Sequence, residues 1–224
     1  IAERAGSMDV VTGGKLRKIL CGGANLSKEI AEKFQKWNIN AFGCYGISEC
    51  SPCISVNRDE FYKFGSAGIP LNCNTIRIAD DGEILISGRN VMLGYYNDLK
   101  RTASVILDGE YHTGDLGYLD EDGFLFVAGR KNNMIVFDDG TKCIPETLEE
   151  AILTHPSIQE ALVYAERTSG GIKLCVKLFV PDTDKQKEVQ AFLVAIPKYQ
   201  PFYRIYFEKE PLPKTATGKI RRDL

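Results

Sequence analysis

The chain has 224 residues, enough for one large domain or two modest domains that each bury a core. Its 28 Lys and Arg residues nearly balance its 30 Asp and Glu residues, so it lacks the positive charge that nucleic-acid binding requires. No apolar run approaches the ~20 residues of a membrane span, and no charged-then-apolar leader opens the sequence. We therefore expect a soluble, cytoplasmic protein with no nucleic-acid partner and no transmembrane segment.

The seven cysteines form no regular framework. An odd number of cysteines fits reduced thiols in a cytosolic compartment better than a secreted disulfide scaffold. Cys50 and Cys53 make the only Cys-x-x-Cys sequence, which would suit a redox pair or half of a zinc site. No second pair follows, and the only histidines are His112 and His155. We prefer to interpret these cysteines as small apolar residues that line a pocket, and a redox or zinc protein is the alternative.

The first part of the chain predicts one helix and a series of β-hairpins. Apolar residues from Leu26 to Trp37 recur at spacings of four, four and three, which predicts an amphipathic helix over residues 26–37. Farther along, turns of acidic residues and glycine join four strand-like segments. These segments are Thr75–Ala79, Glu83–Ser87, Tyr118–Leu119 and Phe124–Val127. Successive hairpins predict an antiparallel sheet or a small barrel-like structure within residues 65–130.

The pattern changes after Arg130. Residues 145–155 and 184–196 have apolar residues at helical spacing, and Pro156 is expected to end the first helix. Three segments have the composition of strands, namely Ala161–Ala165, Ile172–Val180 and Arg204–Phe207. Helices and strands mixed in this way predict a small α+β domain.

The sequence thus predicts two domains. Residues 1–130 form an α/β part with the β-rich region at its end, and residues 131–224 form the α+β domain. The polar stretch at residues 131–133 is suited to a hinge between them.

The segment Tyr45-Gly46-Ile47-Ser48-Glu49 follows an apolar stretch, so its hydroxyl and carboxylate can project from a strand end into a cleft. A hydroxyl beside a carboxylate suits a phosphate with Mg²⁺, which accepts one or two protein carboxylates and completes its coordination with phosphate oxygens and water. Upstream, Gly22-Gly23-Ala24 offers backbone that a planar base can approach closely. For Glu49 alone, a solvated loop carboxylate is the alternative.

Two more segments have chemically suggestive spacing. Asp115 lies in a predicted Gly-Asp-Leu-Gly turn, and Arg130 follows the next hairpin. A carboxylate and a guanidinium placed in this way could share a polyhydroxylated, phosphorylated ligand. Near the end, Pro211–Arg222 is a basic loop with prolines and Gly218, in which a mobile lysine could neutralise the anion that develops between a phosphate and an attacking carboxylate. A solvated basic tail is the alternative for this loop.

In this order, the segments resemble the adenylate-forming superfamily, which includes acyl-CoA synthetases, the adenylation domains of nonribosomal peptide synthetases, and luciferases. The resemblance spans nearly the whole chain and implies the end of the large domain followed by the small mobile C-terminal domain. The matching motifs are Gly22-Gly23-Ala24, Tyr45–Glu49, Gly82-Glu83 with Gly88, Met92, Gly94 and Tyr95, Tyr111–Gly117, Gly129-Arg130, Gly140 with Pro145-Glu146, and Pro213–Lys219.

The resemblance implies a set of nucleotide-binding residues. Tyr45 would stack on adenine, Ser48 would contact the α-phosphate, and Glu49 would hold Mg²⁺. Asp115 and Arg130 would bind the ribose hydroxyls. The remaining nucleotide-binding residues are Gly23, Ala24, Gly46 and Val127.

The resemblance also implies a two-step reaction. A carboxylate attacks the α-phosphorus of ATP to give an acyl-adenylate and pyrophosphate, and the thiol of CoA then displaces AMP. Lys219 would bridge the substrate carboxylate and the α-phosphate, and Gly140 would lie where the pantetheine arm enters. The small domain would rotate about Asn132 between the two steps.

The sequence departs from the family pattern in several places. Ser48 replaces the more usual Thr but keeps the hydroxyl, and Asn132 stands where Asp or Lys is usual. Residues 138–144 replace a glycine-rich, basic stretch with Asp-Asp-Gly-Thr-Lys-Cys-Ile. The family's Ser/Thr/Gly-rich phosphate loop lies upstream of anything present, so we expect a C-terminal fragment that cannot adenylate a carboxylate alone.

The leading hypothesis is a fragment of an acyl-CoA synthetase for medium- or long-chain fatty acids, because Gly-Arg-Lys-Asn-Asn-Met-Ile-Val and Pro-Glu-Thr-Leu-Glu resemble that branch. Alternatives are acyl transfer to the phosphopantetheine of a carrier protein, and a non-catalytic nucleotide-binding module. The acid is not specified, although Cys44 and Ser51–Ile54 could form part of its pocket wall.

Overall fold

A computed structural model of the protein describes residues 9–23, 26, 28–196, 201–216 and 218–222. The chain divides into two compact units, Ile1–Val127 and Ala128–Leu224. Within the described residues the fold is mixed α/β with several separate sheets. No described helix has the length and apolar character needed to cross a membrane. Ala24, one of the expected nucleotide-binding residues, lies outside the described residues.

The first sheet of unit 1 has four strands in the order β1-β2-β3-β4. The strands are β1 (Lys18–Cys21), β2 (Asn40–Gly46), β3 (Cys53–Val56) and β4 (Ile69–Pro70), and the helices before and within the sheet are α1 (Asp9–Thr12) and α2 (Lys28–Gln35). β1 and β2 are parallel because α2 forms the crossover between them, whereas the later pairs are antiparallel. The predicted helix over residues 26–37 is confirmed as α2 within narrower limits.

The second sheet of unit 1 has five strands in the order β5-β6-β8-β7, with β9 also paired to β8. The elements are β5 (Asn74–Ile78), β6 (Glu83–Gly88), α3 (Leu99–Val105), β7 (Ile106–Leu107), β8 (Glu110–Leu119) and β9 (Leu125–Arg130). The antiparallel prediction is confirmed, but the barrel-like one is wrong. Closure needs the first and last strands to pair, whereas β5 and the two-residue β7 remain separate edges of the described sheet.

The core of unit 1 is built from both sheets. Ile54 of β3 packs with Ile84 and Ile86 of β6, Tyr111 of β8 and Leu125 of β9. Burial of each large apolar side chain contributes about 1.5–3 kcal/mol. The shared core fixes the end of β2 and the middle of β8 in one unit, which determines the geometry of the candidate site.

Unit 2 confirms the predicted α+β pattern. Its elements are the 3₁₀ turn Lys131–Asn133, β10 (Ile135–Val136), β11 (Lys142–Cys143), α4 (Pro145–Ile152), β12 (Glu160–Thr168), β13 (Gly171–Phe179), the 3₁₀ turn Thr183–Lys185, α5 (Gln186–Ala195) and β14 (Arg204–Glu208). β10 and β11 form a small hairpin, and β13 pairs with β12 on one side and with the parallel β14 on the other. α5 lies in the crossover that the parallel pair requires.

The two helices of unit 2 bury apolar faces against its sheet. Leu148 and Ile152 of α4 pack with Val163 and Val176 of the sheet, and Val189 of α5 belongs to the same cluster. α4 has proline at its first position, which suits a helix N-terminus. The helix ends at Ile152, before the predicted limit at residue 155. His155 itself precedes a proline, which disfavours the helical conformation at that residue.

Candidate functional site

Tyr45 and Gly46 end β2, and the following residues turn sharply. A Cβ on Gly46 would lie 2.0 Å from the carbonyl oxygen of Pro52, so only glycine fits there. The Ile47 N–H donates to the same oxygen over 2.8 Å, and Ser51 takes a left-handed φ of 61°. Ser48 and Glu49 therefore begin a 3₁₀ turn just after the strand. This agrees with the expectation that the Ser48 hydroxyl and the Glu49 carboxylate follow a strand end.

Tyr45 and Asp115 meet across the two sheets. The phenolic hydroxyl of Tyr45 donates to Oδ2 of Asp115 over 2.6 Å. Asp115 is buried, with 6% of its surface exposed, whereas Tyr45 is half-buried. The side chain expected to stack on a base and the carboxylate expected to bind a ribose are thus directly hydrogen-bonded.

Asp115 lies in a bulge of β8 and not in the predicted turn. The register runs from Glu83 opposite Leu116 to Leu85 opposite His112, so that β8 has two extra residues in this interval. Gly114 takes a φ of 69° at that point, which glycine adopts at little cost. Bulges often re-aim side chains next to active sites, and this one places Asp115 against Tyr45.

Buried polar groups hold this bulge. The Glu83 carboxylate accepts the Gly114 N–H over 2.9 Å at Oε1, and its Oε2 lies 3.3 Å from Nδ1 of His112. The Thr113 hydroxyl donates to the Ile84 carbonyl over 2.7 Å and accepts the Asp115 N–H over 3.0 Å. The conformation of the Asp115 backbone is therefore fixed from both sides.

Glu49 is oriented by Tyr95. The Tyr95 hydroxyl donates to Oε1 of Glu49 over 2.8 Å, and the Met92 N–H donates to the Glu49 carbonyl over 2.8 Å. Burial, together with a hydrogen bond to Tyr95, raises the pKa of the nearby Tyr111. The Tyr111 phenol therefore remains protonated at neutral pH.

Cys50 and Cys53 do not form a disulfide; all seven cysteines are free thiols. Burial, and secondarily the charge of Glu49, raises the pKa of Cys50 to about 11. Among the residues that the structure describes, no cluster of three or more Cys, His, Asp or Glu side chains could hold a metal ion. The protonated, buried Cys50 fits the interpretation of an apolar residue.

The expected residues of unit 2 are exposed. Arg130 is exposed at the end of β9, and Asn132 lies in the turn Lys131–Asn133. Gly140 takes a φ of 81° in the loop between β10 and β11, with no atom within 4 Å of a Cβ built on it. Oδ2 of Asp138 accepts the Ile172 N–H over 3.0 Å. Asp138 is thus engaged within unit 2.

Lys219 is exposed in a short turn that we call the lysine turn, residues 214–216 and 218–220. Lys214 and Ile220 pair as an isolated bridge at its base. The Thr215 N–H donates to the Lys219 carbonyl over 2.8 Å, and the Gly218 N–H donates to the Thr215 carbonyl over 2.9 Å. The backbone of Lys219 is therefore ordered although its side chain is exposed.

The residues that support the site have no predicted role, although they lie in motifs that carry the family resemblance. Gly23 is exposed, and a Cβ at this position would have no atom within 4 Å. Val127 packs against the core of unit 1. However, the roles of Glu83 and Thr113 in the bulge and of Tyr95 beside Glu49 were not predicted. Glu83 had a usable signal, because a carboxylate heads an otherwise apolar strand, Ile84-Leu85-Ile86.

Two family models match this chain. The model described as AMP-binding enzyme matches residues 3–96, and the model described as AMP-binding enzyme C-terminal domain matches residues 147–219. The chain belongs to the AMP-binding enzyme family. The resemblance to adenylate-forming enzymes is thereby confirmed. The predicted fold class is confirmed by the sheets described above, apart from the barrel-like part.

Two relatives of this chain are CoA ligases that are longer than it. The long-chain-fatty-acid–CoA ligase FadD15 of Mycobacterium bovis is 37% identical over 154 residues, 69% of this chain and 26% of that protein. The 2-succinylbenzoate–CoA ligase of Listeria monocytogenes is 34% identical over 213 residues, 93% of this chain and 45% of that protein.

A solved structure, the O-succinylbenzoate CoA synthetase of Bacillus subtilis in complex with ATP and magnesium, is similar with a TM-score of 0.80 and 30% identity, over 91% of this chain and 45% of that one. The chain spans less than half the length of these relatives.

Proposed function

We propose that this chain is the C-terminal portion of an AMP-forming carboxylic acid–CoA ligase. In the first step a carboxylate attacks the α-phosphorus of ATP and releases pyrophosphate; in the second the CoA thiol displaces AMP to give a thioester. The observation that best supports this proposal is the 2.6 Å hydrogen bond between Tyr45 and Asp115, with Glu49 only four residues from Tyr45. Together, an aromatic ring, a ribose-binding acid and a cation-binding acid would bind a nucleoside triphosphate.

The residues of unit 1 fit ATP with Mg²⁺. The open space beside Gly23 suits a planar base, and the Tyr45 ring offers a stacking surface. The Ser48 hydroxyl would contact the α-phosphate, and Asp115 would accept hydrogen bonds from ribose hydroxyls. Glu49, oriented by Tyr95, would hold Mg²⁺, which when bound neutralises phosphate charge.

The residues of unit 2 would serve the two steps in turn. We propose that Arg130 binds the ribose and that Lys219 neutralises the charge that develops between the attacking carboxylate and the α-phosphate. Gly140, whose Cβ position is open, would line the route of the pantetheine arm of CoA. Asn132, in a short turn outside the sheets, would be the hinge between domains 1–130 and 131–224.

We propose a medium- or long-chain fatty acid as substrate. The 37% identity to a fatty-acid–CoA ligase supports this choice, whereas the 34% identity to a 2-succinylbenzoate–CoA ligase makes an aromatic acid the main competitor. We further propose a cytoplasmic location, which the seven free thiols support.

Because the chain spans less than half the length of its relatives, we propose that it binds AMP weakly and does not adenylate acids alone. Calorimetry with AMP, on the chain and on its Asp115→Ala variant, tests the nucleotide site. We expect weak binding that the substitution abolishes. Unchanged AMP affinity in the variant would refute the site, and pyrophosphate release by the chain alone with ATP, Mg²⁺ and an acid would refute its inactivity.

A further inference from the structure

We propose that Arg222 is a positioning residue that fixes the lysine turn to the body of unit 2 and, through Glu146, to the turn Lys131–Asn133. The turn at the hinge and the turn with Lys219 would then move as one piece. The contacts themselves are independent of any function; only the consequence for adenylation rests on the function proposed for Lys219.

Arg222 joins a helix to a strand. Its Nη2 donates to Oε2 of Glu149 on α4 over 2.6 Å, and its Nη1 donates to the Val163 carbonyl on β12 over 3.2 Å. Oε1 of Glu149 in turn accepts the Val163 N–H over 2.7 Å. The guanidinium, the carboxylate and the backbone N–H and carbonyl of Val163 thus form a closed ring of hydrogen bonds, which we call the Arg222 clasp (Arg222, Glu149 and Val163).

The Arg222 clasp differs from an ordinary surface ion pair. The side chain of Glu149 is 13% exposed and that of Arg222 is 28% exposed, and burial raises the pKa of the Glu149 carboxyl although Arg222 opposes the shift. A buried carboxylate that loses its cationic partner is strongly unfavourable. Glu149 therefore requires Arg222, which lies three residues after Lys219.

The other side of the lysine turn is held by Glu160. Its Oε2 accepts the Leu212 N–H over 2.6 Å, and its Oε1 pairs with Nζ of Lys214 at 2.5 Å. Leu212 is itself buried. The chain is thus attached to β12 on both sides of Lys219, and only the lysine side chain remains to be ordered during a reaction.

Glu146 extends the network to the hinge. Its Oε1 accepts Nδ2 of Asn133 over 2.5 Å and lies 3.4 Å from Nη2 of Arg222. A Cβ on Gly129 would lie 2.6 Å from Oε2 of Glu146, so the chain before the hinge packs tightly on the same carboxylate. A continuous chain of polar contacts therefore connects Asn133, Glu146 and Arg222, all within unit 2.

The expected consequence is mechanical. If the hinge turn and the lysine turn move as one piece, the rotation of the small domain sets the position of Lys219. Independent motion of the lysine turn would then contribute little. Loosening the clasp should reduce the rate of adenylation without changing the affinity for ATP. It should leave the second step, transfer from acyl-adenylate to CoA, unaffected because Lys219 has no proposed role there.

The experiment compares Arg222→Gln and Glu149→Gln with Arg204→Gln in the full-length enzyme. Arg204 forms an exposed ion pair with Glu166 in the same unit, 3.1 Å apart, and is a matched control. Hydrogen exchange at the amides of Thr215, Gly218 and Lys219 should become about tenfold faster in the first two variants only. The kcat of adenylation should fall about tenfold at unchanged KM for ATP.

Further variants distinguish positioning from general damage. Arg222→Lys should restore part of the rate because it keeps the charge, and the Arg222→Gln/Glu149→Gln double variant should be no worse than either single variant. Glu149→Gln keeps the shape of the side chain and so remains informative if Arg222→Gln fails to fold.

Unchanged amide exchange in Arg222→Gln would overturn the inference, as would equal losses in adenylation and in CoA transfer. If Lys219→Ala leaves adenylation intact, the function proposed for Lys219 fails. The exchange rates would still decide whether the Arg222 clasp holds the turn.

Discussion

Tyr45 and Asp115, 70 residues apart in the chain, share a hydrogen bond of 2.6 Å between a phenol and a buried carboxylate. The bond fixes the aromatic ring and the acid relative to each other before any ligand arrives. Such preorganisation reduces the entropy that binding must overcome.

Tyr45→Phe should therefore weaken AMP binding while keeping the ring available for stacking. Loss of a hydrogen bond worth about 0.5–1.5 kcal/mol corresponds to a decrease of up to about tenfold in affinity. Calorimetry measures the effect, and Tyr118→Phe, at an exposed tyrosine stacked on Phe126 in the same unit, is the control. Equal AMP affinities for Tyr45→Phe and the wild type would show that the bond has no role in binding.

Glu83→Gln should lower both stability and AMP affinity. Glu83 is 5% exposed and accepts the Gly114 N–H over 2.9 Å, so the substitution weakens the support of the Asp115 bulge. We expect a loss of about 1–3 kcal/mol in the free energy of unfolding. Glu110→Gln removes a carboxylate from an ion pair with Arg77 at the surface of the same sheet and should destabilise the protein much less, because solvent screens such a pair. Similar losses in the two variants by chemical denaturation would contradict the assigned role.

Gly46→Ala should be severely destabilising. The new methyl group would lie 2.0 Å from the Pro52 carbonyl oxygen, so the sharp turn before Ser48 would have to open, at a cost of more than about 2 kcal/mol. Gly170→Ala is the control, because its nearest neighbouring atom is 3.8 Å away. Thermal unfolding distinguishes the two, and a stable Gly46→Ala protein would refute the close approach.

Cys50 and Cys143 should resist thiol reagents until the protein unfolds. Burial, with neighbouring glutamates, raises the pKa of each thiol to about 11. At pH 8 roughly 0.1% of such a thiol is ionised, and the thiolate is the reactive form. Mass spectrometry after brief alkylation should find both cysteines unmodified in the native protein and modified in denaturant; rapid native labelling at either site would contradict their burial.

Acid should loosen the lysine turn before the protein unfolds. Burial raises the pKa of Glu149, so as pH falls this carboxyl takes up its proton earlier than an ordinary glutamate. The sign follows from linkage: the proton binds the folded state more tightly than the unfolded one. Protonation costs no global stability there, but it removes the charge that attracts Arg222.

Amide exchange at Thr215 and Lys219, corrected for its intrinsic pH dependence, should therefore accelerate at pH values just above the ordinary glutamate range. Glu149→Gln should exchange rapidly at all pH values. The charged and titratable groups beside Glu149 are Arg222, Glu146 and the thiol of Cys143. A pH profile that is unchanged by Glu149→Gln would contradict the assignment.

Much of the fold could be predicted from local patterns. The helical spacing over residues 26–37 and the apolar strands of unit 2 correspond to α2, β12 and β13, because one face of each is buried. The Asp115 segment was assigned to a turn because Gly-Asp-Leu-Gly has turn composition. The structure instead uses Gly114 for a bulge in a ten-residue strand, which only the pairing with β6 determines.

The site shows the same division. Tyr45, Glu49 and Asp115 could be proposed from motifs, but the bonds that orient them join residues such as Tyr95 and Glu83 that are distant in sequence or neighbours only through pairing. The Arg222 clasp joins residues 73 positions apart. No local pattern predicts such a partner, since any of 30 acidic residues could pair with a basic tail.

The central claim is most directly tested by product analysis on the full-length enzyme. With ATP, Mg²⁺, CoA and a panel of fatty and aromatic acids, we predict acid-dependent formation of AMP, pyrophosphate and acyl-CoA. Lys219→Ala should block acyl-adenylate formation but still convert supplied acyl-adenylate to the thioester. Release of ADP and phosphate, AMP formation that does not depend on an acid, or full adenylation by Lys219→Ala would contradict the account.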